Sequence, residues 1–314
     1  MRYHIIFLLL LCAARPAAGQ SLADLERQLD SLLNREAVSE VVIGLGFGNN
    51  PAYGGKSTDP FRPITMKPFL SPNLSYNHKS GLFASAYAYY LLNAERKPWF
   101  EMDLSAGYDY TKNRHFLTGI SYTRYFYADS SDIPATPITN EAFAYFFYRK
   151  WWLEPGLSLD LGWGKYREKL SQGAERTITG SDFNIIADVR HSFIYMDLLK
   201  ADDAILIMPV ASFTMGTANY YSNLKSTKYV SRSKMIEKRN NRKRGNQGRP
   251  QQEEEEITVS DNTGFRPRAV DLGVRISYLI GKVAVSPSYT VFKLLQGGDT
   301  GLTGYFTASV SVTL

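Results

Sequence analysis

The chain has 314 residues, 21% of them charged and 13% aromatic, with Tyr (21) outnumbering Phe (17) and a formal net charge of +6. Ten Lys/Arg against one acid, Glu237, lie between Lys225 and Arg249, so the basic balance is local; a nucleic-acid reading would rest on this one segment, and no nucleic-acid partner is expected. A single cysteine, Cys12, excludes a disulfide framework and a thiolate metal site.

Residues 1–20 carry a basic start at Arg2, an apolar run Ile5–Ala14 and small residues before Gln20. This pattern predicts a secretory signal peptide, and its apolar run is too short to span a bilayer. The "AAG" beyond the run provides a cut, so Cys12 is not read as an acylation site. Over 21–38, Leu22, Leu25, Leu29, Leu32 and Leu33 recur at helical spacing, which predicts a short amphipathic helix in the periplasm or on a barrel rim.

From Ser39 onward the hydrophobic period is two. In "WFEMDLSAGYDY" Phe100, Met102, Leu104, Ala106, Tyr108 and Tyr110 share one face and Glu101, Asp103, Ser105, Gly107 and Asp109 the other. "GLSLDLGWGKY" sets Leu157, Leu159, Leu161 and Trp163 against Ser158, Asp160, Gly162 and Gly164. "DFNIIADVRHSFIY" sets Phe183, Ile185, Ala187, Val189 and Phe193 against Asn184, Asp188, Arg190 and Ser192. "AVDLGVRISYLI" sets Val270, Leu272, Val274, Ile276, Tyr278 and Ile280 against Asp271, Gly273, Arg275 and Ser277. The closing "GYFTASVSVTL" alternates in the same way and is expected to pair with the first strand near Val41–Phe47. With weaker alternation near 39–48, 66–77, 80–91, 114–127, 141–151, 204–219 and 283–294, twelve strands are predicted.

These strands are longer than the five or six residues usual in globular sheets and match the roughly 9–11 needed to cross a membrane. Predicted connections after even strands are short: 78–79, 111–113, 152–155, 197–203 and 281–282. Those after odd strands are mostly longer: 49–64, 92–97, 128–140, 167–178, 220–264 and 295–302. Short turns on one side and long loops on the other are the rule for outer-membrane barrels.

The signal peptide, long amphipathic strands, loop asymmetry and terminal strand resemble a bacterial (Gram-negative) outer-membrane β-barrel protein over residues 39–314. The expected fold is all-β: a single transmembrane antiparallel up-and-down barrel of about 12 strands, preceded by the short N-terminal helix. The resemblance implies residence in the outer membrane, contact with its lipid and lipopolysaccharide, and recognition of the last strand by the barrel-assembly machinery. In the family that strand typically ends in an aromatic residue; here it ends in Leu314.

By parity, Glu101, Asp103, Asp109, Asp160, Asp188, Arg190, Asp271 and Arg275 are the candidate lumen-lining residues, because unpaired charge on a lipid face is costly. They fit either a hydrated, salt-bridged filling or the lining of a pore. No cofactor is implied, and no histidine–carboxylate cluster suggests a metal. A lipid-hydrolysing Ser–His pair is not found: past the leader only His78, His115 and His191 remain, and adjacent His191 and Ser192 point to opposite faces of a strand. The glycines of "GLGFG" (Gly44–Gly48) are read as a bend or tight lumen packing rather than a phosphate loop, since no helix follows. Segment 222–263, a basic block followed by Glu253–Glu256, is expected to be a disordered extracellular loop, with lipopolysaccharide phosphates or a surface protein as possible contacts. Function is therefore expected to be a narrow, non-enzymatic pore passing small solutes through a charged lumen, or alternatively a plugged barrel with a structural, assembly or surface-interaction role, with an outer-membrane lipid hydrolase as the trailing reading.

Overall fold

The computed structural model describes residues 38–49, 68–95, 97–110, 112–113, 115–128, 138–169, 175–200, 203–217, 257–258, 265–295 and 302–314. The expected signal peptide (1–20), the helix over 21–38 apart from Val38, and most of segment 222–263 lie outside the described residues.

Fourteen strands follow in order: β1 (Glu40–Gly48), β2 (Phe69–Asn77), β3 (Leu82–Leu91), β4 (Trp99–Tyr110), β5 (Phe116–Tyr127), β6 (Asn140–Tyr148), β7 (Glu154–Lys169), β8 (Glu175–Arg190), β9 (Phe193–Met196), β10 (Asp203–Gly216), β11 (Ile257–Thr258), β12 (Arg266–Ile280), β13 (Val283–Leu294) and β14 (Leu302–Thr313). Twelve of them close into an up-and-down antiparallel barrel. β1 meets β14 with Val42 opposite Thr313 and Gly48 opposite Thr307, so the final strand closes the sheet as its alternation predicts. β8 pairs with β10. β9 is a four-residue continuation of the β8 row along β10, and β11 lies outside the ring, parallel to β8.

Closure matters because an open sheet would leave a row of unpaired N–H and C=O groups at each edge. The tight connections sit at one end of the barrel. In the turn after β2, Gly81 takes φ +100, and an added Cβ would lie 2.2 Å from the Asp109 carbonyl oxygen. Only glycine fits there. At the turn before β10, the fully buried Asp203 carboxylate accepts from the backbone N–H groups of Leu198, Leu199 and Lys200.

The outer wall is apolar. Ile43, Leu45, Leu74, Ile120, Leu157, Leu159, Leu161, Leu272 and Val310 are all exposed, while Ser158 and Asp160, on the opposite parity of β7, are buried. Burial is thus inverted relative to a soluble sheet protein.

Four expectations need correction. Phe100, assigned by parity to the outer face, is 1% exposed and packs with Phe69 and Leu91. The register slips between Tyr89 and Tyr90, so Phe100 is an extra residue that no longer follows the alternation. The connection placed at 167–178 is much shorter, because β7 and β8 continue as a hairpin to Lys169 and from Glu175. The strand expected over 182–195 is interrupted at His191 and Ser192. Within segment 222–263, Ile257 and Thr258 pair with Ile178 and Thr179 instead of lying in a featureless loop.

Candidate functional site: the barrel interior

The interior has two unlike halves. On one side, β1 supplies glycines at the inward positions 44, 46 and 48. A Cβ on Gly44 would lie 2.6 Å from Asn73 Oδ1, and one on Gly46 would lie 2.3 Å from Ser71 Oγ. The "GLGFG" glycines therefore let the β2 side chains lie flat across β1, which is the tight packing their spacing suggests. Next to them runs a wall of small hydroxyls. Ser286 Oγ donates to Ser277 Oγ at 2.9 Å, and Ser288 Oγ and Thr307 Oγ1 are 2.5 Å apart. This wall bounds a polar cavity of about 600 Å³, lined also by Asn73, Tyr87, Tyr89, Asp103, Tyr125 and Arg275.

The other side carries bulkier side chains. Phe143, Tyr145 and Phe147 line the inward face of β6, with neighbouring ring centroids 6.1 and 6.0 Å apart. Tyr145 donates its hydroxyl proton to Asp109 at 2.6 Å, across Gly119. Tyr125 donates to Glu141 at 2.9 Å. Near the short-turn end, Arg190 Nε donates to Glu154 at 3.0 Å, and its guanidinium lies 3.7 Å from the centroid of Phe147. Gly156 makes room for that ring, since a Cβ there would meet Phe147 Cε1 at 2.2 Å. Asn184 donates to Asp160 at 3.3 Å, with both residues buried.

The eight candidates from parity fall as follows. Asp103 and Arg275 line the cavity. Glu101 is buried one inward position from Asp103 on β4. Asp109, Asp160 and Arg190 belong to the bulkier side, bonded as described above. Asp188, beside Arg190 on β8, faces Ser212 across the β8–β10 pair. Asp271 faces Ser212 from β12. The eight are thus spread around the wall and do not converge on one point.

Sequence reading missed Glu141, Glu154, Asp182, Arg266 and Arg268. The first two sit at strand ends, where alternation was weak; their registers opposite Thr123 and Arg190 place them inward. Arg268 is the bulged residue where the β10–β12 register slips between Thr214 and Met215. It is 2% exposed and donates to the carbonyls of Gly216 (2.7 Å) and Thr217, while Thr217 Oγ1 donates to Asp182 at 3.2 Å. The inward faces then hold nine described carboxylates, the six predicted acids plus Glu141, Glu154 and Asp182. Against them stand Arg190, Arg268 and Arg275, with Arg266 at the long-loop mouth opposite Gly216.

Two histidines contact neighbours at the turns. His78 Nδ1 accepts from the Ser80 hydroxyl at 2.8 Å, a contact within one turn. His191 Nδ1 donates to the Trp152 carbonyl at 2.5 Å. Among the described residues, no three His, Cys, Asp or Glu side chains are grouped to hold a metal ion.

A closed antiparallel barrel with an apolar outer wall and a polar interior defines the class, that of the up-and-down β-barrels. No protein-family model and no curated protein matches the chain. Solved structures similar to it include porins, an outer membrane channel, the beta domain of a Bordetella autotransporter and LpxR from Salmonella typhimurium. The NanC porin is 8% identical, with 87% of this chain and 100% of that one covered and a TM-score of 0.43. The KdgM porin is 9% identical, with 87% and 99% covered and a TM-score of 0.42. An outer membrane channel from Pseudomonas putida F1 is 8% identical, with 88% and 96% covered and a TM-score of 0.42.

Proposed function

We propose that this protein is an integral outer-membrane barrel, exported by its N-terminal leader, that passes small hydrophilic solutes through a narrow off-centre conduit along β1, β2 and β12–β14. The polar cavity of about 600 Å³, walled by small hydroxyl side chains and glycines, is the observation that carries this reading. A barrel built only to fill its interior would extend the Phe143–Tyr145–Phe147 packing around the ring. Glycines and serines take that place on the open side.

Membrane insertion is supported by the outer wall. Its exposed Leu, Ile and Val residues lie between aromatic residues near the two ends: Trp99, Tyr122 and Trp163 towards the long loops, and Tyr148, Trp151, Trp152 and Phe193 at the short turns. Such rings suit the border between lipid and water. In this reading the short turns are periplasmic and the long loops extracellular. Lipopolysaccharide contacts the long-loop side, and assembly factors meet β14.

Planar-bilayer recording of purified protein tests the conduit. Small, reproducible conductance steps are expected; no conductance at any voltage refutes it. A second reading, a barrel that does not conduct and acts through its surface, is favoured by the bulky aromatic and ion-paired side chains of β4–β8. It predicts that silent outcome.

A further inference from the structure

We propose that the conduit favours neutral, hydroxyl-rich solutes, of the monosaccharide and polyol class, over charged solutes of the same size, an inference that rests on the conduit reading above. Strand register lays the polar lining out in inward-facing rows that cross the strands. One row runs through Ser277, Ser286, Ser309, Gly46 and Ser71, over β12, β13, β14, β1 and β2 in turn. The row on one side of it holds Ser288 beside Thr307. The row on the other side holds Ser311, Gly44, Asn73 and Tyr87. All of these residues line the cavity.

Charge on this lining is balanced. Its ionisable side chains of opposite sign, among the described residues, are one acid, Asp103, and one arginine, Arg275. A field of a single sign would concentrate counter-ions, and this wall does not supply one. A charged solute of either sign therefore gains no net counter-charge for the water it sheds on entry. A neutral polyol is in the opposite position, because it exchanges hydrogen bonds with water for hydrogen bonds with the wall. A hydroxyl donates one proton and accepts at two lone pairs, on the solute as on serine. In each of the Ser286–Ser277 and Ser288–Thr307 pairs one proton is spent on the neighbouring oxygen, so each pair keeps a second proton to donate and lone pairs to accept. The half-buried Tyr87 adds an aromatic surface with a polar tip next to the Asn73 amide.

The test is the initial rate at which radiolabelled D-arabinose, L-glutamate and L-lysine enter lipid vesicles carrying the purified full-length protein, with the same KCl buffer on both sides and entry into protein-free vesicles subtracted. Arabinose is expected to enter faster than either amino acid by about fivefold, the effect of one net hydrogen bond kept with the wall. The double variant Ser286→Ala with Ser309→Ala, checked for folding by heat-modifiable gel migration, removes two hydroxyls and slightly widens the path. It should lower the arabinose advantage without slowing glutamate or lysine, whereas a simple sieve would speed all three alike. Ser288→Ala is the milder variant that tests the same point in the neighbouring row. Equal entry of the three solutes, faster entry of glutamate or lysine, or an arabinose advantage that survives intact in the variants overturns the neutral-solute preference while leaving the conduit standing. Entry of none of the three overturns the conduit itself and this inference with it.

Discussion

Replacing Leu159 by Arg separates a lipid-facing outer wall from a water-facing one. Leu159 is 41% exposed and points outward from β7, between Ala144 of β6 and Ile185 of β8. It lies five residues from the strand's short-turn end at Glu154. At about 3.4 Å per residue and a tilt of about 40°, that is roughly 13 Å along the barrel axis. An apolar band about 25 Å tall would have its midplane near that depth. An arginine there should cost about 2–4 kcal/mol in a bilayer, whereas one at the rim should cost about 0–1 kcal/mol. Leu153→Arg, in the exposed turn before β7, is the rim control. On a water-facing wall neither change should exceed about 0.5 kcal/mol. Denaturant unfolding in lipid vesicles, followed by tryptophan fluorescence, reads the difference. Equal, negligible costs at both positions would refute a lipid-facing wall.

Gly156→Ala should destabilise the barrel by about 1–3 kcal/mol through overpacking against the Phe147 ring, and adding Phe147→Leu should recover part of the loss in the same unfolding assay. Arg268→Met should cost about 1–3 kcal/mol, because the carbonyls of Gly216 and Thr217 lose their buried donor; denaturation midpoints check it. Deletion of 225–256 should leave heat-modifiable gel migration intact, since the retained β10, β11 and β12 carry the pairings of that region.

The barrel was legible because its signal is repeated in every strand. Period-two alternation fixes which residues share a face, and alternating connection lengths fix the order of pairing. The pairing of β14 with β1 near Val41–Phe47 followed from those two rules. They failed where a strand does not keep its period. Phe100 and Arg268 are bulge residues, and nothing in "WFEM" or "RPRA" distinguishes an extra residue from a regular one. The β7–β8 hairpin runs past its apolar stretch into polar positions, which hydrophobic alternation does not detect. Within the interior, parity alone proposes which charges face inward, but the division into a glycine- and serine-lined side and a bulkier side depends on cross-strand neighbours. Gly46 beside Ser71 and Phe147 over Gly156 are register facts, invisible until strands are paired.

The central claim is that solutes pass along the serine-lined side. Ser309→Cys places a thiol on the conduit wall, and Val310→Cys places one on the outer face of the same strand. Single-channel conductance before and after a bulky, membrane-impermeant thiol reagent tests the claim most directly. The account predicts block at position 309 and no change at 310. Unchanged conductance with Ser309→Cys demonstrably modified would contradict it.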